Sequence, residues 1–118
     1  MKHNFRELKV CQEALVLAKE VYLVSARFPA SEKFGLTSQV NRAVVSIPSN
    51  IAEGSGRSTN KDFSNFLSMA LGSAYELETQ LIIANELGFV QRESLTSLIE
   101  KLIRIQKMIS NLQSRLKD

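Results

Sequence analysis

The side chains best suited to chemistry stand at helical spacing in VNRAVVSIPSNIAEGSGR, residues 40–57: Arg42, Ser46, Asn50, Glu53 and Arg57. At about 100° per residue they fall within one arc of roughly 80°, opposite Val40, Val44, Ile47 and Ile51. Hydroxyl, amide, carboxylate and guanidinium groups saturate hydrogen bonds in fixed directions, so the ridge reads either as a solvated face or as a partly buried polar network. Further along, Glu76 is a natural partner for Arg42 or Arg57. Glu78 shares its side of a helix with Leu67, Leu71 and Ile82, and there it calls for a cation from another helix or another subunit. We expect Arg42, Ser46, Asn50, Glu53, Arg57, Glu76 and Glu78 to form a structural polar network or a subunit contact.

Catalytic and metal chemistry find little support. The single histidine, His3, lies in the N-terminal tail, and no Ser-His-Asp or Cys-His arrangement can be assembled around it. Cys11, the single cysteine, rules out an intramolecular disulfide and a cysteine-rich metal site, and it sits on an apolar stripe as a small core residue does. Gly54 and Gly56 follow a helix instead of linking a strand to one, so they make no phosphate loop and are expected to loosen the helix end near Arg57. The expectation is a protein without enzymatic activity, cofactor or metal.

Four helices must position these residues. From Arg6 to Arg27 the apolar residues form two stripes, Leu8, Cys11, Leu15, Ala18, Tyr22 and Val10, Ala14, Leu17, Val21, Val24, with Val16 and Leu23 beside them. One stripe suffices for a bundle core, so the second predicts cover by another helix or another subunit. The segment around Pro29 ends this helix. In the second helix Pro48 lacks an N–H, frees the carbonyl of Val44 and predicts a bend within reach of the side chains of Ser46, Ser49 and Asn50. Thr59 and Asp62 have capping-box spacing at the start of the third, whose expected core stripe is Phe63, Phe66, Ala70, Ala74, Leu77, Leu81 and Ala84, with Gly88 as its C-cap. Ala70, Gly72, Ser73 and Ala74 allow a neighbouring helix to approach closely. The fourth carries Leu95, Leu98, Leu102, Ile105, Ile109, Leu112 and Leu116, alternating spacings of three and four. Residues 1–118 therefore read as a single all-α domain, an antiparallel up-down-up-down four-helix bundle.

Composition bounds the setting. A chain of 118 residues with 44% hydrophobic content and two prolines can bury a real core. No apolar run suggests a signal peptide or a membrane span, so the expected location is the cytoplasm, with no membrane partner. The net charge of +3 is unevenly spread: residues 91–118 carry +3 and residues 59–90 carry −3. Lys101, Arg104, Lys107 and Arg115 on the fourth helix are the candidate contacts to phosphate, in a mode suited to folded RNA or duplex because few aromatic side chains interleave with them. Ordinary solubility is the competing explanation for the same charges.

The motifs SIPSNIAEGSGR, residues 46–57, and ALGSAYELET, residues 70–79, resemble those of the bacterial four-helix-bundle family encoded in intervening sequences of 23S ribosomal RNA, and the similarity covers nearly the whole chain. Arg42, Ser46, Asn50, Glu53, Gly54, Arg57, Gly72, Ser73, Glu76 and Glu78 occupy its signature positions. The resemblance implies an up-and-down bundle, commonly a ring-like homopentamer, with no known enzymatic activity. It also implies kinship with the accessory proteins of diversity-generating retroelements, basic bundles that associate with a reverse transcriptase and nucleic acid. Cys11 stands where such proteins often carry tryptophan, and Asn41 where a second arginine is frequent. Two functions follow as expectations: an oligomeric accessory protein that associates with RNA or DNA, or a homo-oligomeric scaffold for a protein partner without nucleic-acid binding.

Overall fold

The computed structural model describes residues 3–117. It is all helical, with no strand among the described residues: α1 spans Lys9–Ser25, α2 Leu36–Ser55, α3 Asn60–Glu86 and α4 Arg92–Arg115. The chain thus forms a four-helix bundle. Each helix packs on its neighbours in sequence and α1 also packs on α4, while the diagonal pairs make no close backbone approach. Contacting side chains run in opposite directions along each adjacent pair. Ser25 meets Asn41 and Cys11 meets Pro48 between α1 and α2, while Gln113 meets Ser68 and Gln106 meets Glu78 between α4 and α3.

The first helix is shorter than its periodicity predicts. A one-turn 3-10 helix, Phe5–Glu7, precedes it, capped by Asn4, whose Oδ1 accepts from the Arg6 N–H at 3.1 Å. Leu8 then takes an extended conformation, with ψ 118°, which separates the turn from α1. At the other end Phe28 folds back into the core and its ring lies 5.8 Å from that of Phe89.

Capping explains the bounds of α3. The Oγ1 of Thr59 accepts from the Asp62 N–H at 3.1 Å, so half of a capping box is present. After Leu87, Gly88 takes φ +81°, the Phe89 N–H donates to the Ala84 carbonyl at 2.8 Å and the Gly88 N–H to Asn85 at 3.0 Å. That pair of bonds is a Schellman close, which a residue with a Cβ forms less readily.

One continuous core joins the four helices. The seam of α4 contributes Leu98, Leu102, Ile105, Ile109, Leu112 and Leu116, with Leu95 half-buried beside it. On α3 the stripe differs from expectation at one step: Leu67 is fully buried and Phe66 is half-buried. On α1 the stripe of Val10, Ala14, Leu17 and Val21 is buried together with Cys11. Of the stripe that contains Cys11, Leu15 and Tyr22 stay about half exposed, and Val16 and Leu23 beside the stripes more so. No helix among the described residues is long and apolar enough to cross a membrane.

Candidate functional site

The polar ridge of α2 faces α3, and the two helices meet at unusually short range near their connection. A Cβ on Gly54 would lie 2.6 Å from Cβ of Phe66 and 2.9 Å from Cδ1 of Phe63. Gly54 therefore permits close approach, which corrects the expectation that it loosens the helix end. α2 continues through Pro48 without interruption, and Pro48 is buried against α1 with its carbonyl 3.8 Å from Sγ of Cys11. Burial also pushes the Cys11 thiol pKa up, as suits an inert core residue. The neighbouring Asn41 accepts a hydrogen bond from buried Ser25 at 2.7 Å, a role that an arginine, with no acceptor, cannot fill.

Within the ridge the side chains divide into three groups. Ser46 and Ser73 share a hydroxyl hydrogen bond of 2.8 Å between α2 and α3, and Nδ2 of Asn50 donates to both Oγ and the carbonyl of Ser46 at 2.9 Å. Arg57 pairs with Glu53 one turn back at 2.9 Å and lays its guanidinium 4.6 Å from the centre of the Phe66 ring. Arg42 makes no ion pair among the described residues. The single network expected from Arg42 through Glu76 is therefore not formed within the chain. Arg57 reaches Glu53 in its own helix more easily than Glu76, which lies farther along α3.

Arg42 and Glu76 instead line one cleft of about 470 Å³ between α2 and α3, together with Phe34, Ser38, Gln39, Ala43 and Ser46. Glu76 receives a long hydrogen bond of 3.4 Å from Nε2 of buried Gln80. Phe34 stands at the cleft with 90% of its surface exposed. Glu78 turns the other way, toward α4, where Nε2 of Gln106 donates to it at 2.8 Å. Among the described residues of the chain Glu78 thus meets a neutral amide and no cation from another helix, and its carboxylate is only half-buried.

The basic residues of α4 also divide. Lys101 is paired with Glu20 of α1, and Arg104 grips Glu13 of α1 with Nε to Oε1 at 2.7 Å and Nη2 to Oε2 at 3.1 Å. That hydrogen bonding holds the Glu13 carboxyl below its ordinary pKa; burial opposes it, and the charges of Arg104 and Lys9 add to it. The same contact raises the pKa of Arg104. Lys107 and Arg115 make no ion pair among the described residues, so they are the freer cations of the four. Glu13 and Glu20 were not foreseeable as partners from α4 alone. Their seven-residue spacing on α1, opposite Lys101 and Arg104 three residues apart, is the signal that an assumed antiparallel register would have exposed.

No group of three His, Cys, Asp or Glu side chains suited to a metal occurs among the described residues. A crystal structure from Bacteroides thetaiotaomicron, described as a protein with unknown function from the S23 ribosomal protein family, is 25% identical to the chain. It superposes with a TM-score of 0.80, covering 88% of this chain and 97% of that one. Among curated proteins there is no match. The model of the 23S rRNA-intervening sequence protein family matches residues 6–111, nearly the full length of the bundle. The chain belongs to the 23S rRNA-intervening sequence protein family.

Proposed function

We propose that this protein is a non-enzymatic, self-associating accessory protein, a homopentamer by the resemblance of its motifs, that holds RNA or DNA through backbone phosphates. The observation that carries this reading is a division of the outer surface. The bundle's own core is closed, yet Leu15 and Leu23 on α1, Tyr75 and Ile83 on α3 and Leu87 at its C-cap remain exposed, whereas the last turns of α4 present Lys107 and Arg115 without carboxylate partners among the described residues. Exposed apolar faces on a small helical bundle favour contact between copies. Free cations repeated around such an assembly multiply a modest subunit charge into a surface that attracts polyanions. The alternative, a scaffold for a protein partner, gains from the pairing of Lys101 and Arg104 with Glu20 and Glu13, which reduces the charge available to phosphate.

Arg42 and Glu76 belong to the self-association half of this reading. Each faces a shared cleft without forming an ion pair across it, so their charges are available to another copy. Light scattering of the purified protein is expected to give a mass several times the 13.2 kDa of one chain. Arg42→Ala, which leaves no buried intrachain partner behind, should lower that mass or the melting temperature of the assembly. Wild-type protein that runs as a monomer, or an Arg42→Ala protein unchanged in both mass and melting temperature, would contradict the role given to the cleft.

A further inference from the structure

We propose that the groove between the first turns of α3 and the last turns of α4 is the place where backbone phosphates of a nucleic acid are held, clasped between Lys61 and Lys117. The groove, of about 250 Å³, is lined by Asn60, Lys61, Ser64, Asn65, Gln113, Leu116 and Lys117. This inference rests on the nucleic-acid half of the function proposed above and gives it a location that the α4 residues alone do not.

Three observations converge on it. Lys61 in the first turn of α3 and Lys117 just past the end of α4 both line the groove, and no carboxylate among the described residues lines it with them. Neither lysine makes an ion pair among the described residues, in contrast to Arg57, Lys101 and Arg104. The floor is braced: Nε2 of Gln113 donates to the Ser64 carbonyl at 3.0 Å and to Oγ of Ser68 at 2.8 Å, which fixes α4 against α3. Asn60, Ser64 and Asn65 add neutral donors along one wall, the kind of side chain that positions phosphate oxygens without reading bases.

The charge distribution along the bundle agrees. Lys61 is the one basic residue of α3; it stands in the first turn next to Asp62, beside Arg115 at the end of α4 and Lys117 just past it, so cations outnumber the carboxylate there among the described residues. Glu76, Glu78 and Glu86 of α3 and Glu93 and Glu100 of α4 lie toward the opposite end of that pair. A polyanion approaching this helix pair is therefore drawn to the Lys61 and Lys117 end and repelled from the other. Sequence segments hide this arrangement, because Lys61 belongs to the acidic stretch 59–90 and joins the basic one only through folding.

The test compares wild-type protein with Lys61→Ala/Lys117→Ala and with Lys19→Ala/Lys33→Ala, a control that removes the same charge elsewhere. Each is titrated by fluorescence anisotropy into an RNA hairpin and into a DNA duplex at several salt concentrations, after circular dichroism has shown that all three are folded. The groove variant should bind about tenfold more weakly or worse at low salt, and its slope of log affinity against log salt should fall by about 2, since each lost phosphate contact to duplex contributes about 0.9. Loss with only one of the two probes identifies which nucleic acid supplies the phosphates. A groove variant that binds as the control does overturns the location while leaving the proposed function standing. If the wild type binds neither probe at low salt, the function and the groove fall together.

Discussion

Gly54→Val should lower the melting temperature by roughly 10 to 20 °C, corresponding to a loss of about 3 kcal/mol in a domain of this size. The cause is local. Any Cβ at this position meets Cβ of Phe66 at 2.6 Å and the Phe63 ring at 2.9 Å, and Cβ of Phe66 is tied to the α3 backbone and cannot swing aside. Relief requires the two helices to move apart, which also strains the Ser46–Ser73 hydrogen bond higher along the same interface. Alanine at 54 should destabilise less than valine but still destabilise, because the gain of about 1 kcal/mol in helix propensity is outweighed by the clash. Gly72 provides the contrast. It lies within α3 with nothing within 4 Å of a Cβ placed on it, so Gly72→Ala should gain about 0.5 to 1 kcal/mol in the isolated chain. Thermal unfolding followed by circular dichroism at fixed protein concentration compares all of them, and a Gly54→Val protein that melts like the wild type would refute the close-approach role.

Leu102→Ala should cost about 2 to 5 kcal/mol, the second large effect. Leu102 is fully buried in the middle of the α4 seam, flanked by Leu98 and Ile105 one turn to either side. Truncation removes three carbons from a dense interior and leaves a cavity that rigid helices collapse into only partly. The adjacent Ile103 faces outward at 38% exposure, and Ile103→Ala should cost about 1 kcal/mol or less. Urea unfolding of both variants measures the difference, and equal costs would mean that the α4 seam is misplaced by one residue.

Those two positions also mark what is legible in the sequence. The seam of α4 can be read directly, because its unbroken three-four alternation from Leu95 to Leu116 admits one buried face, although Ile99, Ile103 and Met108 lie off it. On α3 the pattern admits both Phe66 and Leu67 after Phe63. Tertiary packing decides between them, since Gly54 of α2 meets the backbone end of Phe66 and Arg57 covers its ring, leaving Leu67 for the centre. The two-stripe character of α1 is equally visible, and the chain's own helices leave Leu15, Val16, Tyr22 and Leu23 exposed.

The ridge was legible as a face and not as a set of partners. Helical spacing brings Arg42, Ser46, Asn50, Glu53 and Arg57 to one side of α2, and there the structure keeps them. Which of them bond to one another depends on the register between helices, which packing of buried side chains sets. Ser73 rather than Glu76 meets Ser46, Gln106 rather than a cation meets Glu78, and carboxylates of α1 occupy Lys101 and Arg104. The same dependence on register brings Lys61 to Lys117.

The most direct measurement of the central claim is a fluorescence anisotropy titration of wild-type protein, its mass in solution known, into structured RNA and duplex DNA across a range of salt concentrations. The predicted result is saturable binding whose log affinity falls steeply and linearly with log salt, as neutralisation of several phosphates by an assembly of basic subunits requires. No binding at the lowest salt would contradict the account and turn attention to a protein partner seated on the exposed faces of α1 and α3.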